Sequence, residues 1–83
     1  MARYAYHRLD ANHQEIHLAL EQAGYQVYNI GKPVDLLVGK AGRNFLLEIK
    51  TAKGIIRPGQ KKFIYEWPGQ VDVVRTVDEA LAA

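Results

Sequence analysis

Two short aliphatic segments separated by a glycine-containing turn constrain the fold of this chain more than any other feature. The segments are VDLLVG (residues 34–39) and NFLLEIK (residues 44–50), with four residues between them. Two such runs joined by a short turn that contains glycine predict an antiparallel hairpin. If residues 40–43 form the turn, Gly39 pairs with Asn44, and the numbers of paired residues sum to 83.

This register predicts one apolar and one charged face, because successive side chains of a strand point to opposite faces. The apolar face consists of Val34, Leu36, Val38, Phe45, Leu47 and Ile49. Asp35 lies opposite Glu48 on the other face, and Lys50 follows on that same face. Directly opposed residues have Cβ atoms about 4.5 to 5.5 Å apart, so two carboxylates there repel each other unless a cation or a shared proton intervenes.

Paired carboxylates supply the oxygen ligands that Mg²⁺, Mn²⁺ and Ca²⁺ prefer. The hairpin therefore predicts a metal site at Asp35 and Glu48, with Lys50 placed to hold a water or an anionic oxygen of a substrate. A plain ion pair of Lys50 with either carboxylate, at a solvated edge of the sheet, is the structural alternative. The spacing of the three residues alone is a loose pattern and leaves both interpretations open.

The remaining segments complete an α/β fold with a small mixed β-sheet flanked by helices, in the order α-β-β-β-α-β-α. Hydrophobic periodicity and capping patterns predict helices over residues 11–23, from Pro58 to Trp67 and after Thr76, and strands over residues 25–30 and 71–74. A chain of 83 residues allows one domain. Residues 1–9 are predicted to be an extended arm.

Within the helices, side-chain spacing assigns faces. Asp10 or Asn12 is predicted to cap the first helix, and Asn12 and Glu15 have the spacing of a capping box. Asn12 also lies near the apolar stripe, from which it could hydrogen-bond near the site, but capping is the preferred interpretation. His7, His13 and His17 could suggest a metal cluster, but His13 and His17, four residues apart, are instead predicted to lie together on the solvated outer side of the helix. Phe63 and Trp67, also four residues apart, are predicted to face the core of the protein.

The composition excludes several classes of function. The absence of cysteine excludes disulfides, thiolate zinc sites and a cysteine nucleophile. No apolar run approaches the ~18 residues of a membrane helix, so no membrane partner is expected, and the cytoplasm is the expected location. A net charge of +2 permits a nucleic-acid partner.

Four basic residues follow the hairpin: Lys53, Arg57, Lys61 and Lys62. As a group they are predicted to contact the phosphates of a nucleic acid, whereas each of them alone is more simply interpreted as an ordinary surface charge.

These motifs together resemble a known nuclease superfamily. GKPVDLLV (residues 31–38), LLEIK (residues 46–50) and a glutamine at the start of a later helix resemble the PD-(D/E)XK nucleases. More narrowly, the chain resembles the stand-alone virus-type replication-repair nuclease (VRR-NUC) modules of phages and bacteria, and the likeness extends over residues 10–82. It implies a restriction-endonuclease-like core and Mg²⁺-dependent hydrolysis of DNA phosphodiester bonds, with Mn²⁺ as a substitute and no organic cofactor. One departure is that Val34 separates Pro33 from the aspartate.

The resemblance also implies the metal ligands. Asp35 and Glu48 match the family's metal-binding carboxylates, and the backbone carbonyl of Ile49 is a further implied ligand. Glu15 matches a glutamate of the first helix that completes or supports the metal site. From the residues alone, the interpretation of Glu15 as the capping-box partner of Asn12 is equally favoured.

Two more catalytic residues are implied in the same way. Lys50 matches the motif lysine that orients or activates the attacking water. Gln60 matches a glutamine that orients this lysine or the phosphate, while its structural alternative is an ordinary residue of a first helical turn.

The resemblance further implies a homodimer that acts on branched DNA such as four-way junctions. Leu18, Ile55 and Ile56 are candidate interface residues. Two other hypotheses remain open. One is a non-catalytic nucleic-acid-binding module on the same fold, and the other is a partner-binding protein in which Asp35, Glu48 and Lys50 form only an ion network.

Overall fold

The computed structural model describes residues 11–83 of the chain. Three helices and four strands follow one another in the predicted order α-β-β-β-α-β-α. They are α1 (Ala11–Gln22), β1 (Gln26–Asn29), β2 (Leu36–Lys40), β3 (Arg43–Ile49), α2 (Pro58–Glu66), β4 (Val71–Val74) and α3 (Val77–Ala82). The mixed α/β fold is thereby confirmed, whereas the predicted arm at residues 1–9 lies outside the described residues. No helix within residues 11–83 has both the length and the apolarity needed to span a bilayer.

The four strands form one mixed sheet in the order β1-β2-β3-β4. The first three strands are antiparallel, and β4 runs parallel to β3. The predicted hairpin register is confirmed, because Gly39 pairs with Asn44. The turn is tighter than predicted: Lys40 and Arg43 also pair, which leaves only Ala41 and Gly42 between the strands. Both turn residues have positive φ, 54° and 82°, as a two-residue type I′ turn requires.

One face of this sheet carries the hydrophobic core. Ile16 and Leu20 of α1 and Ala80 of α3 are buried against it. The predicted apolar face of the hairpin is confirmed, since all six of its residues are buried: Val34, Leu36, Val38, Phe45, Leu47 and Ile49. Glu48 of β3 and Lys50, which follows the strand, consequently project from the opposite face.

Helix α2 lies on that opposite face and is not part of the core. It has no buried residue. Phe63 and Trp67 stack on each other with ring centroids 5.2 Å apart, and Trp67 remains 44% exposed. The prediction that these two rings face the core is wrong, because α1 and α3 already cover the apolar face of the sheet.

Helix α1 begins earlier than the predicted capping box requires. Ala11 is already helical, so Asn12 lies in the first turn and is not the residue that precedes the helix. Its side-chain amide is directed at the backbone of two other segments, as described below. The prediction of a capping box formed by Asn12 and Glu15 is therefore wrong, and Asp10, the other predicted cap, lies outside the described residues.

Candidate active site

Asp35 stands immediately before β2 and ties this point of the chain to β3. Its carboxylate Oδ2 accepts a hydrogen bond from the backbone N–H of Ile49 at 2.8 Å. The ladder between β2 and β3 ends at the pair Leu36–Leu47, so the Asp35 side chain supplies the partner that this amide would otherwise lack. The backbone carbonyl of Asp35 accepts from the N–H of Ile30 at 2.9 Å, which fixes the residue from the other side.

Glu48 is the buried acidic residue of this region, with only 3% of its surface exposed. Its Oε2 accepts a hydrogen bond from Gln60 Nε2 at 2.8 Å and lies 3.2 Å from Lys50 Nζ. The Lys50 side chain is 17% exposed, so the ammonium group is only partly solvated. Three residues named from the sequence thus meet at one carboxylate oxygen.

The environment of Glu48 works against its negative charge. Burial raises the pKa of Glu48 above its ordinary value, and the nearby charge of Asp35 raises it further. The hydrogen bond and positive charge of Lys50 and the hydrogen bond from Gln60 lower the pKa, but they do not compensate fully. A further cation beside the two carboxylates would favour the ionised form of Glu48.

The raised pKa predicts how Glu48 affects stability. The folded protein holds the Glu48 proton up to a higher pH than the unfolded chain does, so ionisation of Glu48 destabilises the fold as the pH rises above 4.5, its ordinary pKa. We expect Glu48→Gln to be more stable than the wild type at neutral pH in EDTA. The gain should vanish below pH 4.5, where the carboxyl is neutral in both states. Urea unfolding across this range measures it.

Glu66 provides a matched control for this experiment. Its carboxylate is 60% exposed and pairs with Lys62 at 2.9 Å on the surface of α2. Glu66→Gln should change the stability by less than about 1 kcal/mol at any of these pH values. A Glu48→Gln protein that is less stable than the wild type at neutral pH would contradict the direction assigned to the Glu48 pKa.

Gln60 combines the two roles between which the sequence left a choice. It lies in the first turn of α2, where its Oε1 accepts from the backbone N–H of Arg57 at 3.3 Å. Its Nε2 is then free to donate to Glu48. One amide group therefore both caps the helix and holds a site carboxylate, so it fixes α2 relative to β3.

The main chain at Lys50 is held by Asn12, for which capping was the preferred interpretation, and through Arg75, which the sequence did not single out. Asn12 Nδ2 donates to the carbonyl of Lys50 at 3.0 Å and to that of Arg75 at 3.2 Å. Arg75 Nη1 in turn donates to the carbonyls of Thr51 at 2.6 Å and Gly54 at 2.8 Å. These hydrogen bonds connect the loop that follows β3 to α1 and to the end of β4. The position of Asn12 beside the apolar stripe of α1 was the only signal of this role.

Glu15 is not brought into the hydrogen-bonded group. It is exposed on α1, and within residues 11–83 it shares no hydrogen bond or ion pair with the other candidate residues. The same part of the chain contains no cluster of three or more His, Cys, Asp or Glu side chains suited to a metal ion. A metal at this site would therefore be bound by two carboxylates, with backbone oxygens and water completing its coordination.

The predicted basic residues are all exposed: Lys53, Arg57, Lys61 and Lys62. Arg57 lines a groove of about 700 Å³ that also includes Lys32, Pro33, Gln60 and Phe63. Lys62 differs from the others, because it is already paired with Glu66. The groove extends the site from Gln60 towards the segment before Asp35.

The two histidines of α1 are not on a solvated outer side, contrary to the prediction. His13 is only 5% exposed, and His17 is half-buried. Both rings face Asn29 at the end of β1, with which they share hydrogen bonds. The packing of α1 against this edge strand covers them, which periodicity alone did not indicate.

Comparisons with protein-family models, with curated proteins and with solved structures found no match to this chain.

Proposed function

We propose that the protein is a metal-dependent nuclease that hydrolyses DNA phosphodiester bonds. The observation that carries the proposal is the group formed by Asp35, Glu48, Lys50 and Gln60 at the ends of β2 and β3. Two carboxylates and an ammonium group are a donor set suited to a phosphodiester and a hard cation. Gln60, which binds Glu48, also lines the groove that contains Lys32 and Arg57. The likeness to VRR-NUC modules supports the same proposal.

The donor set fits Mg²⁺. One oxygen of each carboxylate is occupied, Asp35 Oδ2 by an amide and Glu48 Oε2 by Gln60 and Lys50. Asp35 Oδ1 and Glu48 Oε1 take part in no hydrogen bond within residues 11–83 and are the oxygens we assign to the ion. Mg²⁺ is commonly held by one or two carboxylates and keeps several waters. When bound, Mg²⁺ or Mn²⁺ would neutralise phosphate charge and lower the pKa of a bound water.

The chain's own groups then have separate tasks. Lys50 Nζ stabilises the negative charge that develops on the phosphate or orients the attacking water. Gln60 fixes the position of Glu48 through its hydrogen bond to Glu48 Oε2, the oxygen that Lys50 also contacts. The Ile49 carbonyl and Glu15 are proposed as further ligands, and Glu15 would have to turn towards the site from its exposed position.

The substrate proposal rests on the charges around the groove. Lys53 and Arg57 lie on the segment between β3 and α2, and Lys61 and Lys62 lie in α2 directly after Gln60. Such a group contacts phosphates without regard to sequence. We propose structure-selective cleavage of branched DNA, such as four-way junctions, by a homodimer in the cytoplasm.

A second candidate function is a non-catalytic nucleic-acid-binding module. Lys50 and Gln60 already satisfy Glu48 Oε2, as they would in a purely structural ion network. Val34 also stands where the nuclease family has the proline that precedes the aspartate. This candidate predicts salt-sensitive binding of nucleic acid without cleavage.

One experiment separates the two functions. Purified protein is incubated with labelled four-way junction, flap, single-stranded and duplex DNA, and with the corresponding RNA, in Mg²⁺, Mn²⁺ or EDTA. Asp35→Ala protein is purified and tested beside it. We expect cleavage that requires the metal and that is lost in Asp35→Ala, because this change removes one of the two carboxylate ligands.

The substrate that is cut fastest defines the class of nuclease. If Asp35→Ala protein still cleaves every substrate that the wild type cleaves, the activity belongs to a contaminating enzyme, and the proposal is contradicted. Binding without cleavage in any metal would favour the non-catalytic module.

A further inference from the structure

A second group of polar side chains lies at the end of β1, on the face of the sheet that α1 covers and opposite to the face of Glu48 and Lys50. His13, His17 and Glu21 follow one another at intervals of four residues on α1, so their side chains share one side of the helix. That side faces Asn29, the last residue of β1. Strand β1 is an edge strand, separated from β3 by β2.

The two imidazole rings converge on one atom. His13 Nε2 lies 3.0 Å from Asn29 Oδ1, and His17 Nδ1 lies 3.2 Å from the same oxygen. The other nitrogen of His17, Nε2, lies 3.2 Å from Glu21 Oε2. Both nitrogens of His17 therefore face an oxygen.

A neutral imidazole cannot satisfy both of these oxygens, because it carries only one N–H. The carboxylate of Glu21 can only accept, so it holds the proton on Nε2 and leaves a lone pair on Nδ1. This lone pair then points at Asn29 Oδ1, which is also an acceptor. The arrangement needs either a second proton on His17, a rotated Asn29 amide, or a cation that is bound by both atoms and lies to one side of the line joining them.

The spacing of these atoms suits a transition-metal ion. Bonds from an imidazole nitrogen to Zn²⁺ are about 2.0–2.1 Å, so two ligand atoms of one ion stand about 2.9–3.4 Å apart at octahedral to tetrahedral angles. The separations of 3.0 and 3.2 Å fall in this range. A carboxylate on the outer N–H of a ligating histidine, as Glu21 provides, is the usual support for such a ligand.

We propose that His13 Nε2, His17 Nδ1 and Asn29 Oδ1 form a binding site for a divalent transition-metal ion of the imidazole-preferring class, Ni²⁺, Cu²⁺ or Zn²⁺, with Glu21 orienting His17. The partly open side of the site, where His17 and Asn29 reach solvent, leaves room for water ligands. The ion would join α1 to the edge strand β1 and so stabilise the fold by mass action. Neither nucleic acid nor the Asp35 and Glu48 carboxylates take part.

Ni²⁺ is the probe, because it prefers imidazole, and excess Mg²⁺ occupies the carboxylate site during the titration. Calorimetry should give one Ni²⁺ per chain, and the melting temperature should rise with Ni²⁺ concentration. His17→Gln should weaken binding at least tenfold, and Glu21→Ala by about tenfold, since it removes only the support of His17. His17 is preferred over the buried His13 because its replacement disturbs the core less.

His7→Gln removes the remaining histidine of the chain and is the matched control, in which Ni²⁺ binding should be unchanged. Absence of Ni²⁺ binding to the wild type would overturn the proposal. Binding that is unchanged in His17→Gln, or that is lost equally in His7→Gln, would overturn it as well.

Discussion

Replacement of Lys50 by alanine should slow metal-dependent DNA cleavage by about 10²- to 10³-fold, the usual effect of removing one preorganised electrostatic donor. The Lys50 ammonium lies 3.2 Å from Glu48 Oε2 and is only partly exposed, so water cannot replace it in the same position. Its loss also removes the main charge that lowers the pKa of Glu48, so this residue should protonate more readily and hold Mg²⁺ more weakly. Single-turnover cleavage of the preferred substrate measures the effect.

The prediction concerns the chemical step, so substrate binding must be followed separately. DNA affinity in EDTA should remain near that of the wild type, because other basic residues around the groove contact the phosphates. Circular dichroism at the assay temperature checks that the variant is folded, since Glu48 loses a positively charged neighbour. Arg43→Ala is the control: it removes a positive charge from the opposite end of β3, where the Arg43 side chain donates a hydrogen bond to Gln70. A Lys50→Ala protein that cleaves within tenfold of the wild type would remove Lys50 from the mechanism.

The hairpin could be predicted from the sequence because two local rules determine it. A glycine-containing turn fixes the register, and alternation along the strands fixes the face on which each side chain lies. Together they predict correctly that Glu48 and Lys50 lie on one face. The actual contact of Asp35, with the amide of Ile49, could not be predicted, because it depends on where the ladder between β2 and β3 ends.

Contacts between elements that are far apart in the sequence could not be predicted from local sequence patterns. Asn12 has the spacing of a cap, but the tertiary structure uses its amide to hold the carbonyls of Lys50 and Arg75. The spacing of Phe63 and Trp67 predicts that α2 has an apolar side, but it does not predict against which face of the sheet that side packs. In each case the sequence gives the chemistry of a side chain, whereas the packing of helices on the sheet decides what it contacts.

Exchanging each of two neighbouring leucines of β2 for alanine should give very different losses of stability. Leu36 is 0% exposed within the core, so Leu36→Ala should cost about 2–5 kcal/mol through lost burial and the cavity left behind. That is a large share of the ~4–12 kcal/mol expected for a domain of this length. Leu37 is 38% exposed on the opposite face, and Leu37→Ala should cost less than about 1 kcal/mol. Urea unfolding of both variants measures the difference.

The comparison also tests the orientation of the candidate site, without any assay of activity. Leu36 and Leu37 are the same residue type at adjacent positions, so their side-chain volumes and strand propensities cancel, and only the face of the sheet differs. Glu48 and Lys50 project from the face of Leu37. A larger loss for Leu37→Ala than for Leu36→Ala would mean that this face is the covered one. The carboxylates would then be enclosed in the core, where neither a hydrated Mg²⁺ ion nor a DNA phosphate could reach them.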